Sequence, residues 1–297
     1  MGINTNGAAL LLQAKQEGAC FDRILTIGHL YLYVTLRQLE RFAKRLNLAI
    51  DLPAVAQDAF ADTFLRHFLG ATSVECMDYS DYEGCTIIHD MNYPVDPAYH
   101  QRYDAVIDGG ALEHIFSFPT AVANCMNMLK PGGALFVFTM CNNHTGHGFY
   151  QFSPELFFRL LDQERGFRMQ AVILEQHPFP SSELTENRKC YSVIDPASLR
   201  TRVGLVCRMP VLMMVHAVKI AHKALFSSYP IQSDYQLAYT RTGDTAPAQG
   251  GRGNVRRVAK ALIRKLPPTW QNYFIGMNEL RTFSFKNKRF YRPWKPF

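Results

Sequence analysis

The chain has 297 residues, 47% of them hydrophobic and 19% charged, a balance that excludes a disordered chain and suits one large domain with an appendage or two domains. Its formal charge of +7 is unevenly carried: residues 1–222 hold 18 Lys/Arg against 22 Asp/Glu, a net of −4, and residues 223–297 hold 14 against 3, a net of +11. The longest apolar stretch, Val211 to Val218, falls far short of the roughly 20 residues of a membrane span.

Residues 1–20 carry little pattern and read as a loose or helical lead-in without the basic and apolar segments of a signal peptide. Asp22 to Gly28 reads as a first strand, and Leu30 to Leu46 as a helix with Leu32, Leu36, Leu39, Phe42 and Leu46 on one face. A further helix is expected around Gln57 to Phe68, ending at Gly70. Ser73–Asp78 and Thr86–Asp90 read as the second and third strands, with too few residues between them for a crossover helix. Tyr103–Asp108 is the fourth, a β-branched run that stops at a carboxylate and two glycines, as a buried parallel strand does at the functional edge of a sheet. Leu112 to Leu129 has helical spacing, Lys130-Pro131-Gly132-Gly133 breaks it, and Ala134–Met140 follows as a fifth strand. Strand, helix, strand in about forty residues is a right-handed βαβ unit. Ser153-Pro154-Glu155 opens another helix. Met169–Glu175 and Val211–Val218 read as sixth and seventh strands, separated by an insertion, 176–210, long enough to be functional.

The segment "LEHI…LKPGG" after a strand ending in Asp resembles the later motifs of class I S-adenosylmethionine-dependent methyltransferases, and HGFYQFSPELFF (147–158) resembles a loop of one bacterial subgroup. The resemblance covers roughly Asp22 to Lys219 and implies a doubly wound, Rossmann-like α/β sheet of about seven mostly parallel strands, with S-adenosylmethionine as cofactor. It implies that Asp78, with Asp81 as a close competitor, holds the ribose diol, that Asp90 lies by the adenine, and that the region after the fourth strand, Asp108 and Gly109, faces the sulfonium; Glu113 either positions polar groups of the cofactor or supports the helix N-terminus. The family's glycine-rich first loop is reduced here to Gly28, followed by His29-Leu30-Tyr31. Bulky side chains stand where backbone would approach the cofactor.

Ligands of such sheets bind beyond the carboxyl ends of the strands, which is where Asp78, Asp90, Asp108 and the histidines are expected. His114 and His147 are candidate general bases, since imidazole titrates near neutrality. Asn143, Tyr150 and Gln151, in a polar and glycine-containing stretch after the fifth strand, are candidate substrate contacts. His144 and His147 are three apart with no third ligand in reach by sequence, so no metal site is read. The seven cysteines include no C-x-x-C and no close pair; Cys76 and Cys125 read as small core residues, and a reducing cytoplasm is the expected home.

Two parts are therefore expected: a methyltransferase-like domain over 1–222, its core beginning near 20, and a basic extension over 223–297. Within the extension, Thr242–Asn254 reads as a loop and Val255–Leu266 as a basic amphipathic helix. The extension fits an acidic partner or an anionic membrane surface; its interleaved aromatic and basic residues carry no nucleic-acid motif. The activity expected is methyl transfer to a small or carbohydrate-like acceptor. The alternatives are a catalytically degenerate scaffold of the same fold and, below that, a nucleic-acid methyltransferase or binder.

Overall fold

A computed structural model describes residues 2–179, 188–240 and 266–295. They fall into two compact units, one of Met1–Val193, Met209–Pro230 and Pro293–Phe297, the other of Ile194–Arg208 and Ile231–Arg292. The expected loop and helix over 242–265 lie outside the described residues, and seven of the fourteen cations of the C-terminal quarter lie at 241–265.

The larger unit is built on a sheet whose strands form where the β-branched and apolar runs stand. They are β1 (Gly2–Asn4), β2 (Arg23–Ile27), β3 (Tyr31–Tyr33), β4 (Ser73–Asp78), β5 (Ile87–Ile88), β6 (Tyr103–Asp108), β7 (Leu129–Asn142), β8 (Phe167–Gln176), β9 (Lys189–Val193), β10 (Val211–Lys219) and β11 (Tyr291–Trp294). Nine of them make one sheet in the order β11-β9-β8-β10-β7-β6-β2-β4-β5, and β1 pairs separately with β3. The pairs from β5 through β7 are parallel, while β10 is antiparallel to both β7 and β8. Leaving aside the two outermost strands β9 and β11, the core order is third, second, first, fourth, fifth, seventh, sixth. That is a doubly wound, Rossmann-like sheet, with its winding reversing between β2 and β6. The strand count is nine rather than the expected seven because part of the insertion pairs as β9 and the chain's end pairs as β11.

Local sequence explains most departures from expectation. The lead-in is a strand and a helix, α1 (Thr5–Gln16), whose Ala8, Leu11 and Leu12 are fully buried. Asn4 caps it, its side chain accepting from the Asn6 and Gly7 N–H groups. The helix expected from Leu30 begins only at Leu36 (α2, Leu36–Leu46), because Tyr31-Leu32-Tyr33 is extended and Thr35 with Gln38 forms a capping box. The helix expected around 57–68 is two pieces, α3 (Leu52–Gln57) and α4 (Asp62–Leu69), the latter closed by Gly70 at φ 76°. The helix expected from Leu112 is a single 3₁₀ turn, Leu112–His114, followed by α5 (Phe118–Met128) with Pro119 in its first turn. Pro154 likewise opens α6 (Pro154–Leu160). The Lys130–Gly133 break is a register irregularity at the start of β7.

Buried Lys219 donates to the carbonyls of Met126 and Leu129 (2.8 Å each) at the end of α5, where a cation complements the helix dipole; burial pushes its pKa down to about 8. Cys76 and Cys85, read as unpaired, are joined by a disulfide. The short link between β4 and β5 folds back and brings their Cα atoms to 5.0 Å, which removes the premise for a reducing compartment. Among the described residues no helix is long and apolar enough to cross a membrane.

Candidate functional site

Register sets the strand ends level. Ile27 stands opposite Met77 on one side and Asp108 on the other, and Asp78 stands opposite Ile88. Gly28 (φ 74°), Asp78 and Gly109 therefore leave the sheet together, with Asp90 two residues beyond the neighbour of Asp78. The expected cofactor residues do share one edge.

The β6 side is enclosed. A cavity of about 150 Å³ is lined by Gly109, Gly110, His114, His147, Asn4, Tyr33, Glu175 and the apolar side chains of Phe138, Met140 and Leu212–Met214. Gly28, Asp78 and Asp90 are absent from its walls. Asp108 and Glu113 are fully buried beside it. One oxygen of Asp108 accepts from the Ala111 and Leu112 N–H groups (2.8 and 3.3 Å), and its Oδ2 has no hydrogen-bond partner. Glu113 Oε2 accepts from Thr139 Oγ1 (2.8 Å), and Oε1 likewise lacks a hydrogen bond, with His147 Nε2 at 3.9 Å. Burial raises both carboxyls above the usual carboxylate range, Asp108 further because Glu113 is near. His114 is held below the usual imidazole range, first by burial and then by His147, so it is neutral and able to take a proton at neutral pH.

The loop after β7 packs on this floor. The Phe149 and Tyr150 N–H groups donate to the Glu113 carbonyl (2.9 and 3.2 Å), and a Cβ on Gly148 would stand 2.8 Å from that same oxygen. Only glycine fits there. Of the expected substrate contacts, Tyr150 Oη donates to the Phe116 carbonyl (2.6 Å), Gln151 accepts from the His144 N–H (2.8 Å) and Asn143 donates to the Met209 carbonyl (2.9 Å). These side chains shape the loop rather than line the cavity; His147 does line it.

Glu175 is a cavity residue that sequence reading passed over, although it closes the sixth strand as Asp108 closes the fourth. It accepts from Asn4 (3.1 Å), Asn6 (2.8 Å) and Arg188 (2.8 Å) and lies 3.7 Å from His177. Burial pushes its pKa up, but the nearby His177 imidazole and the Arg188 charge outweigh burial and hold it below the usual range.

The β2–β4–β5 side is different. The crevice between β2 and β6 is filled by Leu30, whose Cδ2 would stand 2.7 Å from a Cβ on Gly109, and by β1, whose Gly2 N–H donates to the Gly109 carbonyl (2.9 Å). His29 stacks on Phe60 (3.6 Å) and bonds to the Glu83 carbonyl and Asp62; Tyr31 turns its hydroxyl to Glu83 (3.1 Å) and does not enter the cavity wall. Asp78 and Asp90 are half-buried, Asp78 accepting from the Tyr79 N–H and Asp90 from Asn92.

No family model and no curated protein matches the chain. Solved structures do match, methyltransferases among them. The trans-methyltransferase CalH in complex with SAH is 13% identical over 72% of this chain and 55% of its own, with a TM-score of 0.37. The 1,6-didemethyltoxoflavin-N1-methyltransferase of Burkholderia thailandensis is 14% identical over 73% and 78%, TM-score 0.36. TehB from Haemophilus influenzae is 12% identical over 71% and 62%, TM-score 0.37. The chain thus spans about half the length of the first of these. At such values the fold rests on the strand order described above, and what those proteins bind is a property of theirs.

Proposed function

We propose that the protein transfers a methyl group from S-adenosylmethionine to a small polar acceptor held in the cavity, at an oxygen or a nitrogen. The observation that carries this reading is the pair of buried, incompletely satisfied carboxylates, Asp108 and Glu113, beneath a glycine floor at the point where the sheet's winding reverses. Such a pair fits a cationic ligand, because a nearby positive charge favours the ionised form of carboxyls that burial otherwise pushes toward the neutral acid. The residues present fit the cofactor at two places. Asp78 has acceptor capacity for ribose hydroxyls at its strand end, and the glycines at 109 and 110 line the cavity beside the buried acids. When bound, the cofactor supplies an electrophilic methyl group on a sulfonium. The chain's own residues do the rest. Asp78 would orient the sugar, Asp90 the base, and Asp108 with Glu113 the charged end. The apolar walls Phe138, Met140 and Met213 exclude water, and neutral His114 takes the acceptor's proton. Holding the reactants in line is where most of the rate would arise.

Isothermal titration of the full chain with S-adenosylhomocysteine tests this. Saturable heat is expected, weakened about tenfold or more by Asp78→Ala, since a lost charge-assisted pair of hydrogen bonds costs about 1.5–3 kcal/mol. No heat at millimolar ligand overturns it.

A further inference from the structure

Glu113, His114 and His147 each place one ligand atom within 4.8 Å of the other two. Sequence spacing hid this, because the ligand atoms that converge with His147 come from Glu113 and His114 of another loop, while His144 packs edge-on against His147 with ring centroids 6.0 Å apart and is not in the cluster. His114 and Glu113 arrive from the turn after β6, and His147 from the loop after β7. The two loops are tied by the Phe149 and Tyr150 N–H groups donating to Glu113's own carbonyl. The imidazoles of His114 and His147 lie 5.1 Å apart between centroids. Glu113 is the anchor. It is fully buried, Thr139 orients one carboxylate oxygen, and the other, without a hydrogen bond, lies on the His147 side at 3.9 Å. A ligating carboxylate with a hydroxyl fixing its second oxygen is how outer partners set a metal ligand.

We propose that Glu113, His114 and His147 form a site for a divalent transition-metal cation on the cavity wall, with its remaining positions open to oxygen or nitrogen donors of a bound small molecule. Two imidazoles and one carboxylate suit Zn²⁺, Fe²⁺, Co²⁺ or Mn²⁺ rather than Mg²⁺ or Ca²⁺, which prefer oxygen-rich sets. Metal bonds of about 2.0–2.2 Å bring donors to roughly 3–3.5 Å from one another, so the rings must close by about 1 Å. The His147 side chain, 41% exposed on a glycine-bearing loop, has room to do so. The proposal does not depend on methyl transfer. With a cation bound, the imidazole lone pairs are engaged, and the cation itself would polarise an acceptor hydroxyl in place of His114.

The test uses the full chain stripped with a chelator and titrated with Co²⁺ alone, read by visible absorption and by displacement with Zn²⁺. One equivalent of Co²⁺ is expected to bind. His147→Ala and His114→Ala should each weaken it about tenfold or more, and His144→Ala should leave it within about twofold. Glu113→Gln should abolish the bands; if that buried change unfolds the chain, the exposed His147→Ala carries the test, with circular dichroism as the folding control. No absorption band, or a band that survives His147→Ala or is lost only with His144→Ala, overturns the proposal. None of these readouts involves the methyl donor, so the cation site and methyl transfer can fail separately.

Discussion

The two sides of the strand ends spend their polar groups differently. On the β6–β7–β10–β8 side, three carboxylates, Asp108, Glu113 and Glu175, are fully buried around a cavity. On the β2–β4–β5 side, Asp78 and Asp90 are half-buried and bonded within their own turns, and the space next to Gly109 holds Leu30 and β1. One side bears a large desolvation cost for its acids and the other bears almost none. Titratable groups buried at such cost cluster at functional sites, and this contrast supports placing the proposed chemistry on the enclosed side. The open side can orient a ligand but is not built to act on one.

The largest expected break in this contrast is Arg188→Met. It strands the Glu175 carboxylate, which keeps Asn4 and Asn6 but loses the Arg188 guanidinium at 2.8 Å. Removing one partner of a buried pair costs about 3–5 kcal/mol. Urea unfolding should show a loss of that order, and a companion Glu175→Gln on the Arg188→Met background should recover part of it. Equal midpoints for wild type and Arg188→Met would mean that the enclosed side is wetter than its burial indicates. Next comes Leu30→Ala. Leu30 is 1% exposed, and truncating a core leucine costs about 2–5 kcal/mol. The same change empties the space beside Gly109, so the variant should bind S-adenosylhomocysteine more tightly than wild type while melting lower. Weaker binding would show that Leu30 supports the ligand rather than crowding it.

Much of this was legible beforehand, for a physical reason. Tyr103–Asp108 is a buried parallel strand, so its apolar run is nearly continuous and its end abrupt; Ser73–Asp78 buries only Cys76 and Met77 but stops on a carboxylate in the same way, and both strands stand where they were expected. Period and punctuation report burial and termination, which are local. The extended Tyr31-Leu32-Tyr33 was misread because a short run of alternating size fits a helical face as well as a strand, and its partner, β1, lies 29 residues upstream. The site divides the same way. Asp108, Glu113, His114 and His147 meet because one strand end and one loop carry them. Asn4, Glu175 and Arg188 meet across more than 170 residues, and no spacing within the chain encodes that. The Cys76–Cys85 bond was missed because a separation of nine residues says nothing about a chain that folds straight back.

The smallest effect concerns the core beneath the enclosed side. His216 of β10 is 4% exposed, stacks on Phe136 at 4.5 Å, and has no hydrogen-bond partner at Nε2. Burial pushes its pKa from 6.5 down to about 4. Between those values the unfolded chain holds a proton that the folded chain does not, so stability must fall as the pH falls. The linkage gives about 2 kcal/mol lost between pH 7 and pH 5 from this residue alone. His216→Leu replaces the ring with an apolar side chain of similar size and removes that contribution. Asp108 and Glu113, with raised pKa values, push the other way, since the folded chain then binds the extra protons and gains stability as the pH falls. Wild type and His216→Leu share those two acids, so the difference between their urea midpoints isolates the histidine. The gap should widen in favour of His216→Leu from pH 7 to pH 5. A constant gap would mean that water reaches the ring.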